Sequence, residues 1–130
     1  MSISSAIRSV GLLVALTAAA GANAHHSVSG QFDMEKRAEI TGTITKIDWI
    51  NPHIYVHMDV TDASGKVTPW RLESLPTAML RKAGLTSEML MGDGGKVTAT
   101  ALLARDGTEG LGWLLKLTYE DGHTYQLAGE

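Results

Sequence analysis

The run from His53 to Val60 alternates strictly, with Ile54, Val56, Met58 and Val60 on one face and His53, Tyr55, His57 and Asp59 on the other. Successive side chains of a strand point to opposite sides, so this segment reads as a half-buried strand. The flanking segments continue the pattern. Glu39 to Trp49 is rich in β-branched residues, with Ile40, Gly42 and Ile44 in period two and then a shift to Ile47 and Trp49. That shift predicts one long strand with a bulge after Ile44. Asn51-Pro52 breaks it, because proline cannot donate to a ladder. Asp62 to Gly65 supplies turn chemistry, and Lys66 to Glu73 forms a third strand with Trp70 and Leu72 opposed to Arg71 and Glu73.

After Ser74 the pattern changes. Pro76 suits a first helical turn, Ala78 to Ala83 favour helix and Gly84 suits its end, so one short helix follows the third strand. Thr86 can cap a further turn through Leu90. Lys96 to Ala104 and Leu111 to Tyr119 read as a fourth and a fifth strand, and His123 to Leu127 as a short sixth, joined by Glu120-Asp121-Gly122. Three strands, a helix and two more strands is the element order of the oligonucleotide/oligosaccharide-binding (OB) barrel. The predicted fold is therefore all-β, a small OB-like Greek-key barrel of five to six strands.

Residues 1–24 read as a cleavable signal peptide, with Arg8 before an apolar stretch from Val10 to Ala20 and the small-residue end Ala22-Asn23-Ala24. The stretch is too short to span a bilayer, which takes about 20 apolar residues, so no stable membrane insertion is expected after cleavage. The expected location is the periplasm or the exterior. The expected organisation is a signal peptide at 1–24, an extended segment at 25–38 and a barrel domain at 39–130. Cys is absent from the 130 residues, which removes disulfides and thiolate metal sites. The full chain carries 11 cationic and 14 anionic side chains, and Arg8 is the only charge lost on cleavage. An acidic domain without a Lys/Arg cluster is a poor partner for a phosphate backbone, so no nucleic-acid partner is expected.

Cleavage after Ala24 would make His25-His26-Ser27 the mature start. An N-terminal histidine offers its α-amino group and its ring Nδ1, which can close a chelate on one metal ion. Their reference pKa values, about 7.7–8.0 and about 6.5, set little proton cost against binding near neutral pH. A third nitrogen from another histidine completes a T-shaped site suited to copper, a histidine brace. His53 and His57 are the candidates, and His26 can substitute for a ligand. Four residues along a strand span about 13 Å, so only one of the pair can join His25. An amino-terminal copper motif with His in third place is excluded by Ser27. The plainer alternative is an unstructured His-His tail and solvent-facing strand histidines.

Tyr55, Trp49 and Glu73 are the candidate ligand-face residues, although Trp49, Trp70 and Trp113 are most simply core residues. Asp48, Asp59 and Glu73 show no spacing that fixes a shared acid–base site. No catalytic residue is singled out. A Gly-x-Ser-x-Gly elbow, a phosphate loop and a His-Glu-x-x-His motif are all absent from the sequence. His123 reads as a solvated turn residue.

The mature start His25-His26-Ser27, then Phe32-Asp33, the block Ile40 to Trp49 with Asn51-Pro52-His53, Asp62 to Gly65, Trp70 and Glu73 together resemble a family of small exported bacterial proteins catalogued only as a domain of unknown function. The Gly-Thr-x5-Trp-x-Asn-Pro-His block is the most specific part, and Arg105-Asp106-Gly107 also fits. The resemblance covers nearly the whole mature chain and implies export and a single domain, with no activity to carry over. The sequence thus points first to a periplasmic non-catalytic binding protein holding copper, or zinc or nickel, at His25 with His53 or His57. The alternatives are an OB-like module for an envelope polymer, oligosaccharide or protein partner, and a copper oxidoreductase built on the same brace.

Overall fold

A computed structural model of the protein describes residues 28–129. The signal peptide expected at 1–24, and with it His25 and His26, lies outside the described residues. Val28–Gln31 are helical, and the compact unit described below begins at Phe32.

Six strands make up that unit: β1 (Phe32–Asp48), β2 (Tyr55–Thr61), β3 (Val67–Glu73), β4 (Lys96–Ala104), β5 (Leu111–Tyr119) and β6 (Thr124–Gln126). Two short helices, α1 (Thr77–Lys82) and α2 (Ser87–Met91), sit between β3 and β4. The sheet order is β3-β2-β1-β4-β5-β6, and β3 also pairs in parallel with β5. The hydrogen bonding therefore runs in a ring, β1 to β2 to β3 to β5 to β4 and back to β1. The parallel segment is only Arg71 to Glu73 against Leu111 to Trp113, so the ring is a partly open barrel with the OB strand order rather than a fully closed cylinder.

Two features let β1 serve both halves of the ring. The predicted bulge is present: the register shifts between Ile44 and Lys46, leaving Thr45 as the extra residue opposite β2. Gly42 lies where β2 crosses closely, since a Cβ there would come 2.3 Å from the Asp59 carbonyl oxygen. At the other seam, Gly110 has φ of +76°, and a Cβ would meet the Pro69 carbonyl at 2.5 Å. Its own carbonyl accepts from Arg71 N at 2.8 Å, which begins the β3–β5 pairing.

The first strand begins at Phe32, seven residues before the alternation predicts, and pairs with β4 from there. The segment expected to be extended and separate from the domain is thus in part a strand of the barrel. Its anchor is Phe32, 1% exposed and packed at 5.9 Å on the Trp113 ring. Met34 to Arg37 are all exposed and hide the strand from any period-two reading.

Ile40, Ile44, Val56, Met58, Leu72, Val97, Leu114 and Leu117 of the strands form the core together with Leu80 and Leu90 of the helices. Thr86 caps α2 by accepting from Met89 N at 3.2 Å. Buried Tyr119 donates from its hydroxyl to the Leu90 carbonyl at 2.6 Å, tying α2 to β5. Burial pushes that phenol well above its ordinary pKa. No described helix is long and apolar enough to cross a membrane.

Candidate functional site

The alternation that buries Ile54, Val56 and Met58 turns His53, Tyr55 and His57 to the outside of the barrel. The antiparallel registers then set two rows across β1, β2 and β3. Lys46 pairs with His57, and His57 with Arg71; Asp48 pairs with Tyr55, and Tyr55 with Glu73. One row is basic and the adjoining row carries the carboxylates. Like charges abreast repel and opposite charges on the diagonal attract, so the side chains bond between rows.

His57 Nε2 lies 2.7 Å from Asp48 Oδ2, and Lys46 Nζ reaches Asp48 Oδ1 at 2.6 Å. Those contacts, from Lys46 first and His57 second, hold the Asp48 carboxyl below its ordinary pKa. The Arg71 guanidinium lies over the Tyr55 ring at 4.6 Å. His53, just ahead of β2, places Nδ1 2.6 Å from Glu73 Oε1.

Local structure fixes His53 as firmly as a strand residue. The ladder continues past β2, with Ile54 N donating to Leu75 O and Ser74 N to Ile54 O. On the preceding loop, the buried Thr77 hydroxyl donates to Asn51 Oδ1 at 2.9 Å. The His53 ring meets the Trp113 ring edge-on, centroids 5.3 Å apart at 87°. Trp113 is 6% exposed.

An ionised carboxylate only accepts hydrogen bonds, so each imidazole donates to its partner. In the neutral ring the proton then sits on Nδ1 of His53 and on Nε2 of His57. The remaining nitrogens, His53 Nε2 and His57 Nδ1, have no bonding partner among the described residues. Imidazoles that ligate metals characteristically carry such a carboxylate partner on the second nitrogen. The described residues contain no group of three His, Cys, Asp or Glu arranged to hold a metal ion. The barrel alone thus supplies single oriented imidazoles.

The structure brings together His53, Tyr55, His57 and Glu73 of the predicted site residues. Trp49, expected on the ligand face, packs instead against the core side and lines a recess of about 280 Å³ with Arg81, Leu85 and Glu88. The bulge at Thr45 explains this, since it sends Ile47 and Trp49 inward and Asp48 outward. Asp59 stands exposed, one row beyond His57 and away from both pairs. His123 lies exposed in the β5–β6 turn, as expected, but is organised: it stacks on Tyr119 at 4.3 Å and hydrogen-bonds Asp121. Lys46 and Arg71 join the site without being singled out by the sequence. The alternation of β3 already put Arg71 on the face of Glu73, but only the register across β2 reveals that it and Lys46 flank His57.

Residues 13–112 match a family model described as a family of unknown function (DUF6152). No curated protein and no solved structure matches the chain.

Proposed function

The chain belongs to the DUF6152 family, and from that premise we propose a periplasmic, non-catalytic binding protein that holds copper at His25 with His53 or His57. The observation that carries this reading is the pair of histidine–carboxylate contacts at 2.6 and 2.7 Å, each leaving one ring nitrogen for a ligand. Such contacts fix the tautomer and raise the basicity of a metal-binding imidazole. The barrel offers too few donors for a complete site, and His25, with its α-amino group exposed by cleavage after Ala24, supplies the missing nitrogens. His26 is the alternative to His53 or His57 as the third ligand. Copper(II) heads the affinity order for nitrogen donors, ahead of nickel and zinc.

The test is copper(II) titration into protein beginning at His25. Nitrogen-dominated coordination by electron paramagnetic resonance is expected, with affinity falling on acidification because the donors must be deprotonated. One extra residue before His25 relocates the amine and should weaken binding strongly without altering the fold. Equal binding by the extended and processed proteins would defeat the reading.

A second reading draws on the architecture itself. In OB barrels the β2–β3 face and the adjoining loops bind extended polymers, and here that face carries the two charged rows. An envelope polymer or oligosaccharide that shifts resonances of Tyr55, His57 and Arg71 in metal-free protein would favour it. Turnover of a reductant or peroxide by the copper-loaded protein would instead point to an oxidoreductase.

A further inference from the structure

We infer that His53, through Nε2, is the barrel imidazole that takes the metal ion, and that Glu73 is its positioning residue, with His57 outside the coordination sphere. The inference rests on the copper reading above and decides between two histidines that the sequence leaves equivalent.

Three observations separate them. The first is which nitrogen each pair leaves available. Glu73 occupies Nδ1 of His53, so the available atom is Nε2, at the far end of the ring from the backbone. Asp48 occupies Nε2 of His57 and leaves Nδ1, flanked by the ring carbon that bears Cβ and close to the strand. Nδ1–H bonded to a carboxylate with Nε2 on the metal is the common arrangement of a ligating histidine.

The second is the surrounding charge. His57 is paired with Lys46 on one side and Arg71 on the other, so a metal cation at its Nδ1 would face two cationic neighbours in cross-strand positions. His53 is one position beyond these rows, and its closest charged contact is the Glu73 carboxylate. Coulomb repulsion scales inversely with distance and dielectric, so a row of cations about 5 Å apart at the barrel surface opposes a third.

The third is support. The Glu73 side chain is 13% exposed, and its strand position is paired on both sides, to Tyr55 and to Trp113. The ring it holds is also braced by the buried Trp113 indole. Asp48 is the last residue of β1, 26% exposed, and divides its oxygens between His57 and Lys46.

The experiment compares copper(II) affinity and electron paramagnetic resonance spectra for the processed parent and five variants. His53→Ala should lose one coordinated nitrogen and bind far more weakly. His53→Asn should do the same while keeping a side-chain donor for Glu73, which guards against a folding artefact. Glu73→Ala should weaken binding roughly 10–100-fold, and Glu73→Gln, whose Oε1 can still accept from Nδ1–H, should recover much of that loss. His57→Ala should match the parent in spectrum and affinity. A parent that binds through nitrogen while His57→Ala, and not His53→Ala, loses a ligand would overturn the inference and leave the copper reading standing. A parent that binds no copper through nitrogen would overturn both.

Discussion

The two histidine–carboxylate pairs flank Tyr55 with nearly equal hydrogen-bond lengths, 2.6 and 2.7 Å, yet they belong to different parts of the barrel. The His53–Glu73 pair sits on the seam where β3 meets β5, with the Trp113 indole behind it. The His57–Asp48 pair sits at the tip of β1, past the bulge, and shares its carboxylate with the exposed Lys46. The first is held by elements far apart in the chain and the second mostly by one strand and its neighbour. A short contact distance alone therefore says little about how well an imidazole is presented; the packing behind it decides.

The largest effect that would break this contrast comes from Trp113→Ala. It removes a buried ring packed on both Phe32 and His53 and should cost about 3–5 kcal/mol. Urea unfolding would measure the loss. In the variant's spectra His53 should broaden while His57 keeps its parent shifts, and equal disturbance at both would dissolve the distinction. Gly110→Ala attacks the same seam through the backbone, at a φ of +76° and against the Pro69 carbonyl. Strain alone should cost about 1–3 kcal/mol, and amide exchange should accelerate in Arg71 to Glu73 before it does in β1–β2.

A smaller effect belongs to the basic row. Arg71→Ala removes the guanidinium from the Tyr55 ring and should cost about 0.5–1 kcal/mol, while raising Tyr55 reactivity toward iodination. The smallest concerns pH. The Asp48 carboxyl is lowered in the folded state, so its stabilisation is fully present above the unfolded carboxyl pKa of about 3.9 and fades as pH falls through the lower folded value. Denaturation midpoints of the parent and Asp48→Asn should differ modestly at neutral pH and converge in acid. A gap that widens on acidification would contradict the assignment.

What the sequence discloses and what it hides follow the same division. Period-two alternation reads one strand at a time, so it correctly sends Ile54, Val56 and Met58 inward and His53, Tyr55 and His57 outward. The broken period after Ile44 correctly marks the bulge. The start of β1 is hidden because Met34 to Arg37 carry no buried face and the anchor is a single Phe32. Glu73 appears in the sequence as a face residue, but its partner depends on the β2–β3 register and on His53 reaching across it. The β3–β5 seam joins Arg71 to Leu111 across two helices and a strand, and no local pattern announces such a pairing. Trp49, named both as a ligand-face candidate and as most simply a core residue, packs against the core, the side to which the shifted period turns it.

The proposed metal ligand of the barrel is the imidazole on the β3–β5 seam, His53. Substoichiometric copper(II) added to isotope-labelled protein beginning at His25 tests it in a single experiment, because paramagnetic broadening reports distance from the ion. The predicted result is early loss of signals from His53, Glu73 and the Trp113 indole N–H, with Lys46 and Asp48 at the tip of β1 broadening later. Broadening that starts at Asp48 and His57, or at the Asp121–His123 turn, while the Trp113 indole signal persists would contradict it.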